Sequence, residues 1–108
     1  MLTLPVAKFS DTPGPRSREE GDFSGEQFLE EVLLPQFEEA VRTNQKLVVD
    51  LDGAEGYATS FLEAAFGGLA RKFNSDQVMR IIEFKSEDEP HLIEEVKKYI
   101  REANSPRQ

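Results

Sequence analysis

The chain has 108 residues, of which 38% are hydrophobic and 31% are charged, and it contains no cysteine. This composition suffices for one small hydrophobic core, excludes disulfides and thiolate metal sites, and makes the cytoplasm the expected location. The net charge of −8 argues against nucleic-acid binding, which requires a basic patch, and no apolar run approaches the roughly 20 residues of a membrane span.

The N-terminus predicts an edge strand within residues 1–9. Leu2, Leu4 and Val6 alternate with other residues, as in a strand that is buried on one face. Pro5 has no N–H to donate to a neighbouring strand, so it favours a position at the edge of a sheet.

A long helix is predicted after the polar, turn-rich connection of residues 10–22. Ser24 and Gln27 have the spacing of a capping box, and apolar residues follow at three- and four-residue steps. The pattern therefore predicts a helix capped by Ser24. Pro35 lies inside this helix and cannot donate to the i−4 carbonyl, which predicts a kink or a restart near residues 31–35.

The apolar run at residues 47–51 predicts the central strand of the sheet. A continuous run of this kind suits a parallel strand that is covered on both faces. An acidic loop with two glycines follows, and a helix is predicted to open at Thr59 and Ser60. Because this loop leaves the carboxyl end of a central strand, where open α/β sheets bind their partners, it is the expected functional edge.

The C-terminal part predicts one more strand and a last helix. Val78 to Phe84 is apolar enough for a strand, and Pro90 suits the first turn of the helix that follows. Residues 105–108 are expected to be a frayed tail. The buried face of the last helix is predicted to comprise Leu92, Ile93, Val96, Tyr99, Ile100 and Ala103. Altogether, residues 1–108 are expected to form a single α/β domain, a small mixed sheet of about four strands with about three helices.

The central segment resembles the STAS domain, the module of sulphate transporters and anti-sigma factor antagonists. The residues Val48-Val49-Asp50-Leu51 match the family's strand, and Ala58-Thr59-Ser60-Phe61-Leu62 fall on its Asp-Ser-Ser-Gly-Leu motif. Ala58 replaces the aspartate and Phe61 replaces the glycine. More of the chain is similar to the bacterial STAS-like domain family of unknown function. That similarity lies in Phe9, Pro13-Gly14-Pro15-Arg16, Phe23-Ser24-Gly25-Glu26, Leu34-Pro35 and Gly67-Gly68-Leu69.

The resemblance implies a STAS-like fold and a regulatory role without enzymatic activity. Ser60 falls on the serine that partner-switching kinases phosphorylate in the STAS family, so it is the phosphoacceptor candidate. The implied partner is a protein, such as an ATPase-type kinase or a sigma-factor regulator. The predicted partner-binding residues are Asp52, Gly53, Glu55, Tyr57, Thr59, Ser60 and Phe61.

Ser60 also has a purely structural interpretation. Ser60 and Glu63 themselves have capping-box spacing, so the serine can be a helix cap with no further role. Phosphorylation would be compatible with the same position, because a helix N-terminus offers free amides and the positive end of the helix dipole. The sequence leaves both interpretations open.

The remaining candidate residues favour structural roles. Asp50 and Asp52 share one face of the strand, but the sequence offers too few further oxygen ligands nearby to hold a cation. We therefore expect no metal and no cofactor. His91 has no Ser, Cys or second His as partner, so no catalytic residue is predicted. Gly67 and Gly68 inside a helix predict a close backbone approach to a strand or to a partner.

Two function classes therefore remain. The first is a regulatory protein-interaction module that uses the loop from Asp52 to Ser60. The alternative is a small-ligand module that holds a nucleotide or another anion at the amides of Thr59 to Leu62. The sequence does not determine the oligomeric state.

Overall fold

Three parallel strands form the sheet, β1 (Leu2–Pro5), β2 (Leu47–Asp50) and β3 (Ile82–Lys85), and β2 lies between the other two. The computed structural model describes residues 1–103. Leu47 is paired with Leu2 on one side and with Ile82 on the other. The interior position of β2 was predicted correctly. The predicted α/β class is confirmed, but the described residues form three strands, all parallel, rather than a mixed sheet of about four.

Four helices accompany the sheet in residues 1–103, rather than about three. They are α1 (residues 25–42), α2 (residues 59–72), α3 (Ser75–Ile81) and α4 (His91–Ala103), and a 3₁₀ turn, Val6–Lys8, follows β1. The additional helix is α3, which occupies residues 78–81 of the segment predicted as a strand. The tail predicted at residues 105–108 lies outside the described residues.

The boundary between α3 and β3 corrects the predicted strand from Val78 to Phe84. The side chain of Asn74 accepts a hydrogen bond from the Gln77 amide at 2.8 Å and so caps α3. The cap satisfies one of the free amides in the first turn, and the chain stays helical through Ile81 in spite of its β-branched residues. Only Ile82 and the next three residues remain for the strand.

The sheet is covered on one face, which corrects the expectation of a strand buried on both faces. In β2, Leu47 and Val49 are fully buried, whereas Val48 and Asp50 are partly exposed. On the open face, Val48 lies between two exposed residues of the neighbouring strands, Thr3 and Glu83. Alternation of buried and exposed residues is typical of a sheet with one solvent-exposed face, and it is uncommon in parallel sheets.

Helix α1 contains the irregularity predicted at Pro35. Its first segment, Gly25–Phe28, and its last segment, Leu34–Arg42, are α-helical, and the turn between them, Leu29–Leu33, is a π-helix. The Leu34 amide donates to the carbonyl of Leu29, five residues earlier. The wide turn lies directly before Pro35, where the proline ring would otherwise clash with the preceding turn.

Helix α2 also contains a π-helical turn, Glu63–Gly67, and two glycines follow each other at its end. A methyl group on Gly68 would lie 2.8 Å from Cδ2 of Leu29 in α1. Gly68 therefore lies against a side chain of helix α1, whereas the predicted approach was of the backbone to a strand or to a partner. A methyl group on Gly67 would lie 2.6 Å from Oε2 of Glu63 in its own helix.

The N-termini of α1 and α2 are in close contact. A methyl group on Gly25 would lie 2.6 Å from the carbonyl oxygen of Phe61 and 2.9 Å from Cβ of Ala64. The absent side chain lets the rings of Phe28 and Phe61 approach to 5.6 Å between centroids, and Phe66 extends this aromatic cluster. Helix α4 closes the core with the predicted residues Leu92, Val96 and Ile100.

The structure confirms that Ser24 caps α1. Its hydroxyl oxygen accepts from the Gln27 amide at 3.0 Å, and the residue is fully buried. We expect Ser24→Ala to lower the free energy of unfolding by about 0.5–2 kcal/mol, because the amide loses its partner. Urea unfolding of the variant measures the change. Ser17→Ala is the control, since that hydroxyl makes only a 3.4 Å contact with Glu20. Equal losses in the two variants would contradict the capping role.

Candidate functional site

The predicted functional loop begins at the carboxyl end of β2. Asp50, the last residue of the strand, accepts a hydrogen bond from the amide of Asp52 at 2.9 Å, which turns the chain away from the sheet. Gly53 follows with φ +94°, a backbone conformation that glycine adopts without strain. These two residues aim the following segment toward the N-terminus of α2.

A second segment, residues 10–16, holds this loop in place. The Glu55 amide donates to the carbonyl of Asp11 at 2.7 Å, and the Ala58 amide donates to the carbonyl of Pro13 at 2.9 Å. The Ser60 hydroxyl adds a third contact by donating to the carbonyl of Gly14 at 3.0 Å. Residues 10–16 and 52–60 therefore form one surface, which we call the paired loops.

Ser60 is not the cap of α2, which corrects the capping-box interpretation. The N-cap residue is Ala58, which has no side chain that could accept a hydrogen bond. Ser60 lies in the first turn and is half-buried, and its hydroxyl joins α2 to Gly14 across the paired loops. The side chain thus stabilises a tertiary contact and not the helix end.

Glu63, the other member of the supposed capping box, forms ion pairs with two arginines. One carboxylate oxygen lies 2.6 Å from Arg16 of the paired loops, and the other lies 2.8 Å from Arg71 near the end of α2. The hydrogen bond from Arg71, followed by that from Arg16, lowers the pKa of Glu63 against the opposing effect of burial. Neither pair was predicted, since Glu63 and Arg71 are eight residues apart and helical ion pairs form at three- and four-residue spacing, and Arg16 lies in another segment.

Asp52 has a structural role that the sequence did not reveal. Its carboxylate accepts hydrogen bonds from the backbone amides of Glu87 and Asp88, at 2.8 and 2.9 Å, in the loop between β3 and α4. The bond from Asp88, followed by that from Glu87, holds the pKa of Asp52 below its usual range. Asp52 therefore connects the carboxyl ends of β2 and β3.

Two aromatic residues of the predicted binding set point inward. The Tyr57 hydroxyl donates to the carbonyl of Leu51 at 2.9 Å, and burial, followed by the nearby charges of Asp50 and Asp52, raises the pKa of Tyr57. Phe61, predicted as a partner-binding residue, is fully buried in the core, so its ring cannot contact a partner in this structure. It supports the surface from below.

Only some of the predicted partner-binding residues are accessible, and these have no large apolar side chain. Gly53, Glu55 and Thr59 are exposed, and Asp11 and Thr12 of the facing segment are exposed as well. Glu55 and Asp11 give this area a negative charge. These exposed residues lie on the two hydrogen-bonded segments of the paired loops.

The first turn of α2 offers an anion fewer amides than the small-ligand alternative assumed. The amides of Phe61 and Leu62 already donate to the carbonyl of Ala58, at 3.1 and 3.3 Å. An anion would have to compete with these bonds.

The single histidine, His91, is exposed, with Nε2 3.7 Å from Glu89. No helix within residues 1–103 is long and apolar enough to cross a membrane.

The parallel strands and the β2–loop–α2 unit define a small α/β domain. Residues 24–92 match the family model described as a STAS-like domain of unknown function. Since the match covers more than half of the 108 residues, the chain belongs to this family. The matched range includes Ser24, the loop after β2, Ser60 and the first residues of α4. The match confirms the resemblance to the STAS-like domain family. Comparisons with curated proteins and with solved structures gave no significant match.

We expect Asp52→Asn to change how the stability of the fold depends on pH. The folded-state pKa of Asp52 is lowered, so its stabilisation is complete above the ordinary value of 3.8 and is lost as the pH falls through the folded-state pKa. The variant should therefore be less stable than the parent at neutral pH, and the difference should shrink in acid. Urea unfolding between about pH 7 and about pH 2.5 measures this.

The control is Asp22→Asn, which removes an exposed aspartate outside the paired loops. A stability difference between Asp52→Asn and the parent that stayed constant down to the lowest pH would contradict the assigned role of the carboxylate.

Proposed function

We propose that this domain is a non-enzymatic regulatory module of the anti-sigma factor antagonist type, which binds a protein partner through the paired loops. The observation that carries the proposal is the hydrogen bond from Ser60 to Gly14, which joins the predicted phosphoacceptor to the opposite side of the surface. A modification of Ser60 would thereby act on both segments.

The charges around Ser60 support a switch of this kind. Phosphorylation removes the hydroxyl proton that Gly14 now accepts and adds about −1.5 to −2 charges. Glu63 lies three residues further along the same helix, and Arg16 already reaches it at 2.6 Å. A phosphate on Ser60 would compete with Glu63 for Arg16, and Arg16 belongs to the segment that the Ser60 hydroxyl holds. The modification would therefore exchange the Ser60–Gly14 hydrogen bond and the Arg16–Glu63 ion pair for a contact between the phosphate and Arg16, and would rearrange residues 10–16 against residues 52–60.

The surface also supports a class of partner. Its exposed carboxylates, Asp11 and Glu55, complement a basic protein surface. In the unmodified state, such a partner would contact the paired loops. After phosphorylation it would meet a rearranged surface. An ATPase-type kinase or a sigma-factor regulator fits the role that the STAS resemblance implies.

Substitutions of Ser60 test the switch. Ser60→Ala removes the hydrogen bond to Gly14 and should cost about 0.5–1.5 kcal/mol of stability. Ser60→Asp removes the same bond and adds one negative charge. We expect both to weaken binding of the partner, because both release residues 10–16 from Ser60. Ser60→Asp should weaken it more, since its carboxylate competes with Glu63 for Arg16 and the resulting rearrangement of the paired loops outweighs the added attraction to a basic partner. The partner is first captured from a bacterial lysate with the parent protein, then purified and titrated against each variant by calorimetry.

Ser75 provides a matched control. Its hydroxyl also donates to a backbone carbonyl across elements, that of Ile100, and it lies at the start of α3, outside the paired loops. Ser75→Ala and Ser75→Asp should lower stability without changing the affinity for the partner. Equal affinity of the parent, Ser60→Ala and Ser60→Asp for the purified partner would refute the switch.

A further inference from the structure

The outer edge of β3 has hydrogen-bonding groups directed away from the sheet. The Leu51 amide donates to the carbonyl of Lys85 at 2.8 Å, so the peptide groups of Lys85, and of Glu83 two residues earlier, face β2. By alternation, those of Ile82 and Phe84 face outward. The Ile82 amide donates to the carbonyl of Val78 in α3 and is therefore not free to pair with another strand. The Ile82 carbonyl and both backbone groups of Phe84 remain directed to the edge.

The outer edge of β1 differs because it carries a proline. The Leu2 amide donates to the carbonyl of Lys46, so Leu2 and Leu4 face β2 and the peptide groups of Thr3 and Pro5 face outward. Pro5 has no N–H, so a strand added here could pair with the amide of Thr3 but would find no donor at Pro5. Such an edge is a poor template for a further strand. Of the two edges, only that of β3 is free of proline.

A groove of about 430 Å³ runs beside the β3 edge. Met79, Phe84 and Ile93 contribute half-buried apolar side chains, and Lys46 and Lys97 lie among the lining residues. A strand added at this edge would cover these apolar side chains as well as satisfy the backbone groups. Lys46 and Lys97 also locally offset the negative charge of the chain.

We propose that β3 pairs with β3 of a second copy of this chain, antiparallel, around a two-fold axis at Phe84. In this register Phe84 lies opposite Phe84 of the second copy, and two hydrogen bonds join their backbones. Glu83 lies opposite Lys85 of the second copy, and the symmetry repeats this pair. Antiparallel neighbours of this kind have Cβ atoms about 4.5–5.5 Å apart, close enough for an ion pair.

The charges on the strand select both the second copy and the register. An axis at Glu83 would place two glutamates against each other, whereas an axis at Phe84 makes two opposite-charge pairs. Glu83 has no ion pair within residues 1–103, and Lys85 makes only long ones, at 3.9 Å to Asp50 and 3.8 Å to Glu87. Both side chains are exposed and are therefore available to a second copy.

Charge reversal at Glu83 and Lys85 tests the proposal. Sedimentation velocity from about 10 μM to about 1 mM covers the range of a small interface, at an ionic strength of about 0.15 M, where distant charges are screened. The parent should show a monomer–dimer equilibrium. Glu83→Lys and Lys85→Glu should each weaken it about tenfold, because each turns both attractive pairs into repulsive ones.

Mixing the two variants separates local pairing from net charge. In a mixed dimer, one copy has lysine at both positions and the other has glutamate at both, so both cross-strand pairs are attractive. An equimolar mixture should therefore dimerise like the parent. The double variant should also dimerise, since it exchanges the two charges. Glu83→Lys replaces a charge of −1 by +1 and takes the net charge from −8 to −6, so an effect of net charge alone would strengthen its association.

Three outcomes would overturn the proposal. They are a parent that stays monomeric throughout the concentration range, single variants that dimerise as well as the parent, and a mixture that stays monomeric. Circular dichroism melts establish that the single variants are folded. The expected melting temperatures are close to that of the parent, because both side chains are exposed.

Discussion

The contact between Gly25 and the carbonyl of Phe61 is the constraint on which the candidate site depends. Any side chain at position 25 would force α1 and α2 apart, because a methyl group there would already lie 2.6 Å from that oxygen. The same residue donates its amide to the carbonyl of Pro15 at 2.8 Å. Gly25 thus fixes the start of α2 and the end of residues 10–16 at once. The short distance from Ser60 to Gly14 follows from this double attachment.

The parts of the fold that sequence analysis predicted correctly have local causes. The cap at Ser24, the irregular turn before Pro35 and the interior strand at 47–50 each depend on residues within a few positions of one another. The strand predicted from Val78 failed because its apolar, β-branched residues suit either structure. Asn74, three residues before Gln77, was the signal that could have placed α3 there.

The candidate site was predicted in position but not in its contacts. A loop at the carboxyl end of an interior strand is expected from topology alone, and the resemblance selected Ser60 within it. The partner of Ser60 is Gly14, 46 positions away in the chain, and Asp52 bonds to amides more than 30 positions away. Such pairs carry no local periodicity or spacing. Phe61 was misjudged for a related reason, since its burial depends on α1 packing over it.

The proline in β1 has a consequence for higher-order assembly. Strand edges with free amides can recruit further chains without limit, and this is how fibres grow. In this sheet, Pro5 interrupts one edge, so growth is favoured only at β3. Once two copies have joined through β3, each end of the enlarged sheet is a proline-bearing β1. In the proposed dimer the assembly would therefore close at two chains, and the same residue that ends the sheet would protect the protein from polymerisation.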